Sequence, residues 1–148
     1  MRPRPKSREP DWGVGMGAWG TGVYDNDDAA DWGLELGGGG LPLLEAGLSP
    51  ADGYLVSEDG AIAVAAADVV ARLRSGGGEQ SAYASDVIDW VQANRGVDWQ
   101  PLVAPAIAVI DRVLSPGDNE LYEVWADTDF LPERLAVLRE VRGRLTQT

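Results

Sequence analysis

The chain contains no histidine and no cysteine. These two absences remove Ser-His-Asp and Cys-His nucleophilic catalysis, zinc fingers, thiol redox centres, disulfides and imidazole-based pH switching. Lysine occurs once, as Lys6, so Schiff-base and phosphate-loop chemistry lack their usual residue. Long apolar runs are missing too. The longest spans residues 61–67, whereas a membrane-spanning helix needs roughly twenty apolar residues. A secretory leader would require a longer apolar stretch behind its basic start, and Asp11, Trp12 and Gly13 do not supply one. The expectation is a cytoplasmic protein without membrane contact and without a cofactor.

Positive charge is scarce and unevenly placed. The 148 residues carry 12 bases and 24 acids, a formal net charge of −12. Arg2, Arg4, Lys6 and Arg8 account for four of the bases, so from Asp11 onward 23 acids face eight bases. No base lies between Arg8 and Arg72, while twelve acids fall between positions 9 and 68. A body of that sign repels nucleic acid and anionic lipid. It argues against direct phosphate contact and favours a basic protein or a divalent cation as partner.

The length suits one domain, and 45% hydrophobic residues give it the material for a core. Residues 1–15, rich in proline and basic side chains, read as a flexible basic tail with Met16 as an alternative start. Residues 16–148 read as a single all-α domain: a compact bundle of about five to seven helices behind an irregular Gly/Trp-rich N-terminal segment.

Periodicity places the helices. The first is expected over 27–36, capped by Asp25 or Asn26, with Asp27, Asp28, Asp31 and Glu35 on one arc and Ala29, Trp32 and Leu36 on the other. The glycine run 37–40 should end it, because glycine costs about 1 kcal/mol per residue in a helix, and a short helix follows over 42–46. The stripe Ile62, Ala66, Val69, Leu73, widened by alanines, predicts a central, close-packed helix over 58–74. Asp68 interrupts its apolar side, and Arg72 one turn later makes a solvated ion pair the expected arrangement. Further helices are expected over 82–95 (Tyr83, Val87, Trp90, Val91 and Asn94 on one side) and 102–114 (Val103, Ile107, Ile110, Leu114). A shorter one begins at Asp118 or Asn119, and a last one over 132–145 turns Leu135, Leu138 and Leu145 inward and its four arginines mostly outward. Trp32, Trp90 and Trp125 are expected in the core; Trp19 and Trp99 either cap it or stand exposed as anchors.

Several motifs fail on inspection. Gly15, Gly17 and Gly20 match G-x-G-x-x-G but lack the strand and βαβ unit that a dinucleotide site requires. The acidic cluster from Asp25 has Ala29, Ala30 and Leu36 where a calcium loop needs a ligand, a glycine and a glutamate. Asp27, Asp31 and Glu35 share a helix face at i, i+4, i+8 and are weak candidates for a metal. Paired carboxylates of the glycosidase kind would be met by any acidic helix.

The most distinctive stretch is 19–31, with Trp19, Gly20, Gly22, Tyr24, Asp25, Asp27, Asp28, Ala30 and Asp31. It resembles the opening of a bacterial family catalogued only as a domain of unknown function, which begins W-G-x-G-x-F and continues to D-x-A-x-D; Tyr24 stands where that pattern has phenylalanine. Weaker similarity continues through Gly53-Tyr54 and from Glu120 to Trp125. The resemblance implies one self-contained domain and carries no activity or catalytic residues. On the residues alone, Gly20 and Gly22 permit positive φ or close approach, which would fold Trp19 and Tyr24 against the first helix as a structural clamp. The leading expectation is a non-enzymatic module offering an acidic surface to a basic protein, immunity- or antitoxin-like at the level of class. The alternative is a carboxylate-based metal-binding protein or hydrolase using Asp27, Asp31 and Glu35.

Overall fold

A helix whose middle is almost entirely alanine, valine and isoleucine can accept neighbours on every side, and the second helix of this chain, with only Asp68 breaking that pattern over 61–71, does. In the computed structural model, which describes residues 18–147, that helix (α2, Ser57–Ser75) is buried at nearly every position from Gly60 to Leu73. Its ends obey helix electrostatics: Glu58 and Asp59 lie in the first turn, Arg72 and Arg74 in the last. Small residues set the spacing, since a Cβ on Gly47 would lie 3.0 Å from that of Ala66.

Five helices surround it: α1 (Asp27–Gly47), α3 (Ser85–Ala93), α4 (Val103–Leu114), α5 (Glu120–Ala126) and α6 (Leu131–Thr146), with 3-10 turns at Ala82–Ala84 and Gln100–Leu102. All five pack against α2, α1 also against α3, and α4 and α5 against α6. The domain is all-α; among the described residues extended pairing is limited to the single bridges Ala18–Asn26 and Leu55–Asn119. The expected basic tail and alternative start lie outside the described residues. No helix among the described residues is long and apolar enough to cross a membrane.

The local chemistry explains the boundaries. Asn26 caps α1, its Oδ1 accepting the Ala29 N–H at 2.9 Å. Ala29, Trp32, Gly33, Leu36 and Leu44 face inward. The glycine run breaks the helix as expected and a short helical stretch follows, but the break comes only at the last glycine of the run. Residues 37–39 stay helical and the break falls at Gly40, with φ 60° and ψ −148°. Packing of Leu36 and Leu44 on either side outweighs propensity, and Pro42 sits in the first turn after the break, where its missing N–H does no harm. Asn119 caps α5, accepting from Tyr122 N at 3.1 Å and donating to the Val113 and Ser115 carbonyls at 2.7 and 2.9 Å, so it also satisfies the end of α4.

Trp32, Trp90 and Trp125 are buried in the core as expected. Three expectations need correction. Tyr83 is exposed, because 82–84 form a 3-10 turn that rotates it out of register with Val87 and Trp90. The inward face of α4 is Ala106, Val109, Ile110 and Val113, with Val103, Ile107 and Leu114 at its edge. On α6, Leu138, Val141 and Leu145 point inward, and so do Arg134 and Arg144. The reason for these two arginines lies in what they touch.

Candidate functional site

The segment before α1 folds back on itself. Trp19 N donates to the Asp25 carbonyl at 2.8 Å and Gly22 N to Asp25 Oδ2 at 3.0 Å. A Cβ on Gly20 would collide with the Asp25 carboxylate, and one on Gly22 would lie 2.7 Å from Asp25 Oδ2 and 2.8 Å from Glu79 Oε1. Positive φ occurs at other glycines, so close approach is what these two positions require. Trp19 is 41% exposed and lies against Tyr83, ring centroids 4.8 Å apart. The loop drives Tyr24 into the core.

There Tyr24 meets Asp68. The pair Asp68–Arg72, expected in solvent, is buried, at 0% and 3% exposure. Arg72 Nε donates to Asp68 Oδ2 at 2.6 Å, Tyr24 Oη donates to the same oxygen at 2.8 Å, and Arg144 Nη2 donates to Oδ1 at 2.5 Å. Around Asp68, α2 has no solvent side, and a second guanidinium reaches the carboxylate from α6. Arg144 Nε is held in turn by Glu140 Oε2 at 2.8 Å. Burial raises the Tyr24 pKa well above its usual value, and the Asp68 charge adds to the effect. Burial opposes the charge on Arg144, yet the Glu140 hydrogen bond and the Asp68 carboxylate carry its pKa above the usual arginine range. Both Asp68 oxygens are occupied by donors, which suits an electrostatic clamp better than a proton-transfer base. Asp68 and Arg144 line a groove of about 350 Å³ together with Val23, Val137 and the acids Glu79 and Glu140.

Arg134 holds the loop from a second point. It is 2% exposed, and its Nη1 donates to the Thr21 and Gly22 carbonyls at 3.1 Å each. Its guanidinium carbon lies 5.6 Å from the Trp125 ring centroid, and Nε and Nη2 have no hydrogen-bond partner among the described residues. Burial lowers its pKa to about 10, against the pull of Asp25 and Glu79.

The acidic arc of α1 stands apart from this clamp. Asp27, Asp31 and Glu35 are exposed and Asp28 is partly buried. The Asp28 pKa is raised by burial and then by Glu58, Asp27 and Asp31. The three weak metal candidates do not converge. Positions i, i+4 and i+8 climb about 6 Å per step along the axis, so a single ion cannot touch all three. No cluster of three or more His, Cys, Asp or Glu side chains able to hold an ion occurs among the described residues.

The structure thus gathers Trp19, Gly20, Gly22, Tyr24 and Asp25 in one loop and leaves Asp27, Asp28, Asp31 and Glu35 on an outer face. Sequence reasoning missed Asp68, Arg72, Arg134 and Arg144 as a connected set. A charged residue inside a helix with no polar side was the available signal for Asp68; nothing in sequence marks Arg134 or Arg144. A family profile described as "Domain of unknown function (DUF4259)" matches residues 17–136. Comparisons with curated proteins and with solved structures gave no significant match.

Proposed function

For a chain that belongs to the family described as "Domain of unknown function (DUF4259)", we propose a cytoplasmic, non-enzymatic interaction module that receives a basic protein on the acidic face of α1. One observation carries this reading: the core takes in positive charge and leaves negative charge outside. Of eight arginines among the described residues, Arg72, Arg134 and Arg144 are buried; of 22 acids, only Asp68 is. The surface is therefore more acidic than the sequence total, and Asp27, Asp31 and Glu35 form no ion pair among the described residues to neutralise them. The raised Asp28 pKa, part of it due to like-charged neighbours, is the signature of a face on which charge is crowded and unbalanced. The chief interior carboxylate is saturated with donors, which supports a binding role over a catalytic one. Small acidic domains that neutralise a toxin or imitate nucleic acid offer a parallel at the level of class.

The test is capture from native lysate on the immobilised protein, compared with the folded variant Asp27→Asn/Asp31→Asn/Glu35→Gln. A basic protein retained at low salt should be released by about 0.5 M NaCl, where screening shortens electrostatic reach to a few ångströms. The triple variant should bind it at least about tenfold more weakly. Equal retention by the variant would overturn the assignment of this face.

A further inference from the structure

We infer that the cavity between the glycine loop after α2 and the outer side of α3 is a binding site for a small oxyanion, the phosphate or carboxylate group of a small molecule. The inference is independent of the acidic face and concerns the opposite sign of charge. The cavity holds about 150 Å³ and is lined by Arg72 and Arg95, with Gln80 and Gln92 beside them. Among the described residues no carboxylate lines it, although acids outnumber bases two to one in the chain.

The site is built rather than incidental. Arg72 is fixed by Asp68 through Nε and by the Glu79 carbonyl through Nη2, at 2.6 and 3.0 Å; its Nη1 has no hydrogen-bond partner among the described residues. Arg95 donates Nη1 to the Arg72 carbonyl at 3.4 Å and keeps Nε and Nη2 unpartnered among the described residues. The loop contributes Gly76 and Gly77 to the lining. Gly76, Gly77 and Gly78 have φ of 78°, 77° and 92°, three successive left-handed residues that side chains with a Cβ rarely adopt. A Cβ on Gly78 would lie 2.5 Å from Arg72 Cζ and one on Gly77 2.8 Å from Arg144 Cδ, so the backbone is laid directly on two arginine side chains.

Two acids bonded to the elements around it are turned elsewhere. Asp68 is occupied by Tyr24, Arg72 and Arg144, and Glu79 accepts from Tyr24 N and from Ser81 Oγ. The lining that remains offers two guanidinium groups, which only donate, and two carboxamides, whose NH2 groups can add to them. Such a set matches an oxyanion, which only accepts. The volume lies below the roughly 300–1,000 Å³ of sites for drug-sized ligands, so the occupant is a group with few carbons. Ile88 and Val91 form the apolar wall on which those carbons would rest.

The experiment is an amide NMR titration of the whole chain with inorganic phosphate and, separately, malonate, with ionic strength held constant by NaCl. Saturable shifts centred on the amides of Gly76, Gly77 and Gly78 and on the Arg95 Nε are expected, and the anion that saturates at lower concentration identifies the group recognised. Arg95→Gln, an exposed position that spares the Asp68 cluster, should weaken binding about tenfold, the effect of one lost charge-assisted pair. Arg139→Gln on the exposed side of α6 should leave it unchanged. Shifts scattered over the surface, shifts reproduced by chloride alone, or undiminished binding by Arg95→Gln would each overturn the proposal.

Discussion

Replacing Asp68 with asparagine keeps the side-chain shape and removes one charge. In the fold, the carboxylate receives Tyr24 Oη, Arg72 Nε and Arg144 Nη2 at 2.8, 2.6 and 2.5 Å. Asparagine offers one carbonyl oxygen and one NH2 group, and wherever the NH2 points it faces another donor. Two guanidinium groups then share a closed space, with Glu140 left as the ion-pair partner of Arg144 and none left for Arg72 among the described residues; the side chains of Arg72 and Arg144 are 4% and 7% exposed. Removing one partner of a buried ion pair costs about 3–5 kcal/mol, while an exposed pair contributes about 0–1 kcal/mol. At about 2–4 °C per kcal/mol for a chain of this length, Asp68→Asn should lower Tm by roughly 6–20 °C. A solvated pair would lose about 4 °C at most on the same scale. Thermal and urea unfolding followed by fluorescence of the buried Trp32, Trp90 and Trp125 reads the difference. A parallel series in 1 M NaCl, where the screening length is about 3 Å, should leave the loss unchanged. A loss below about 1 kcal/mol, or one that vanishes in salt, would refute the buried clamp.

Three further outcomes follow from the same geometry. Gly22→Ala places a Cβ 2.7 Å from Asp25 Oδ2 and 2.8 Å from Glu79 Oε1, and should cost about 1–3 kcal/mol in urea unfolding; an unchanged midpoint would refute close approach as the role of this glycine. Asn119→Ala removes the α5 cap and frees two carbonyls at the end of α4, for a loss of about 2 kcal/mol, and a loss of only a few tenths would contradict the joint role. The third concerns pH. Because the folded pKa of Tyr24 lies above 10.0, its neutral phenol stabilises the fold fully below about pH 10, and that stability drains away as pH rises further. Arg134, lowered to about 10, acts in the same window with opposite sign, since losing its disfavoured charge helps the fold. The difference in Tm between wild type and Tyr24→Phe cancels the arginine, and it should shrink above about pH 10; a constant difference would refute the tyrosine's part.

Helix existence was legible because it depends on spacing along one segment. The arc of Ala29, Trp32 and Leu36, the caps at Asn26 and Asn119 and the central place of α2 all follow from residues within a few turns of each other. The failures involve partners far apart in the chain. The glycines at 37–39 looked like a terminator because propensity is local, whereas the packing that keeps them helical comes from Leu36 and Leu44 against other helices. The pair Asp68–Arg72 has the spacing of a surface pair, and Arg144, which alters its meaning, lies 76 residues beyond Asp68. Arginine on an otherwise polar helix carries no mark of burial, so Arg134 and Arg144 were unreadable. In the acidic arc the face was legible, and the rise of the helix alone keeps Asp27, Asp31 and Glu35 from sharing one ion.

The Asp68 cluster also has a bearing on the order of folding. Its three donors lie 44 residues upstream, four residues downstream and 76 residues downstream of the carboxylate, and Arg134 ties α6 to the loop at Thr21 across 113 residues. Contacts of such span close late. During synthesis, a ribosome that has released α1 to α5 has made the carboxylate, one guanidinium and the phenol, but not the arginine that completes them. The centre of the domain needs α6 to complete it, so the loop before α1 and α6 are the two halves of one closing step.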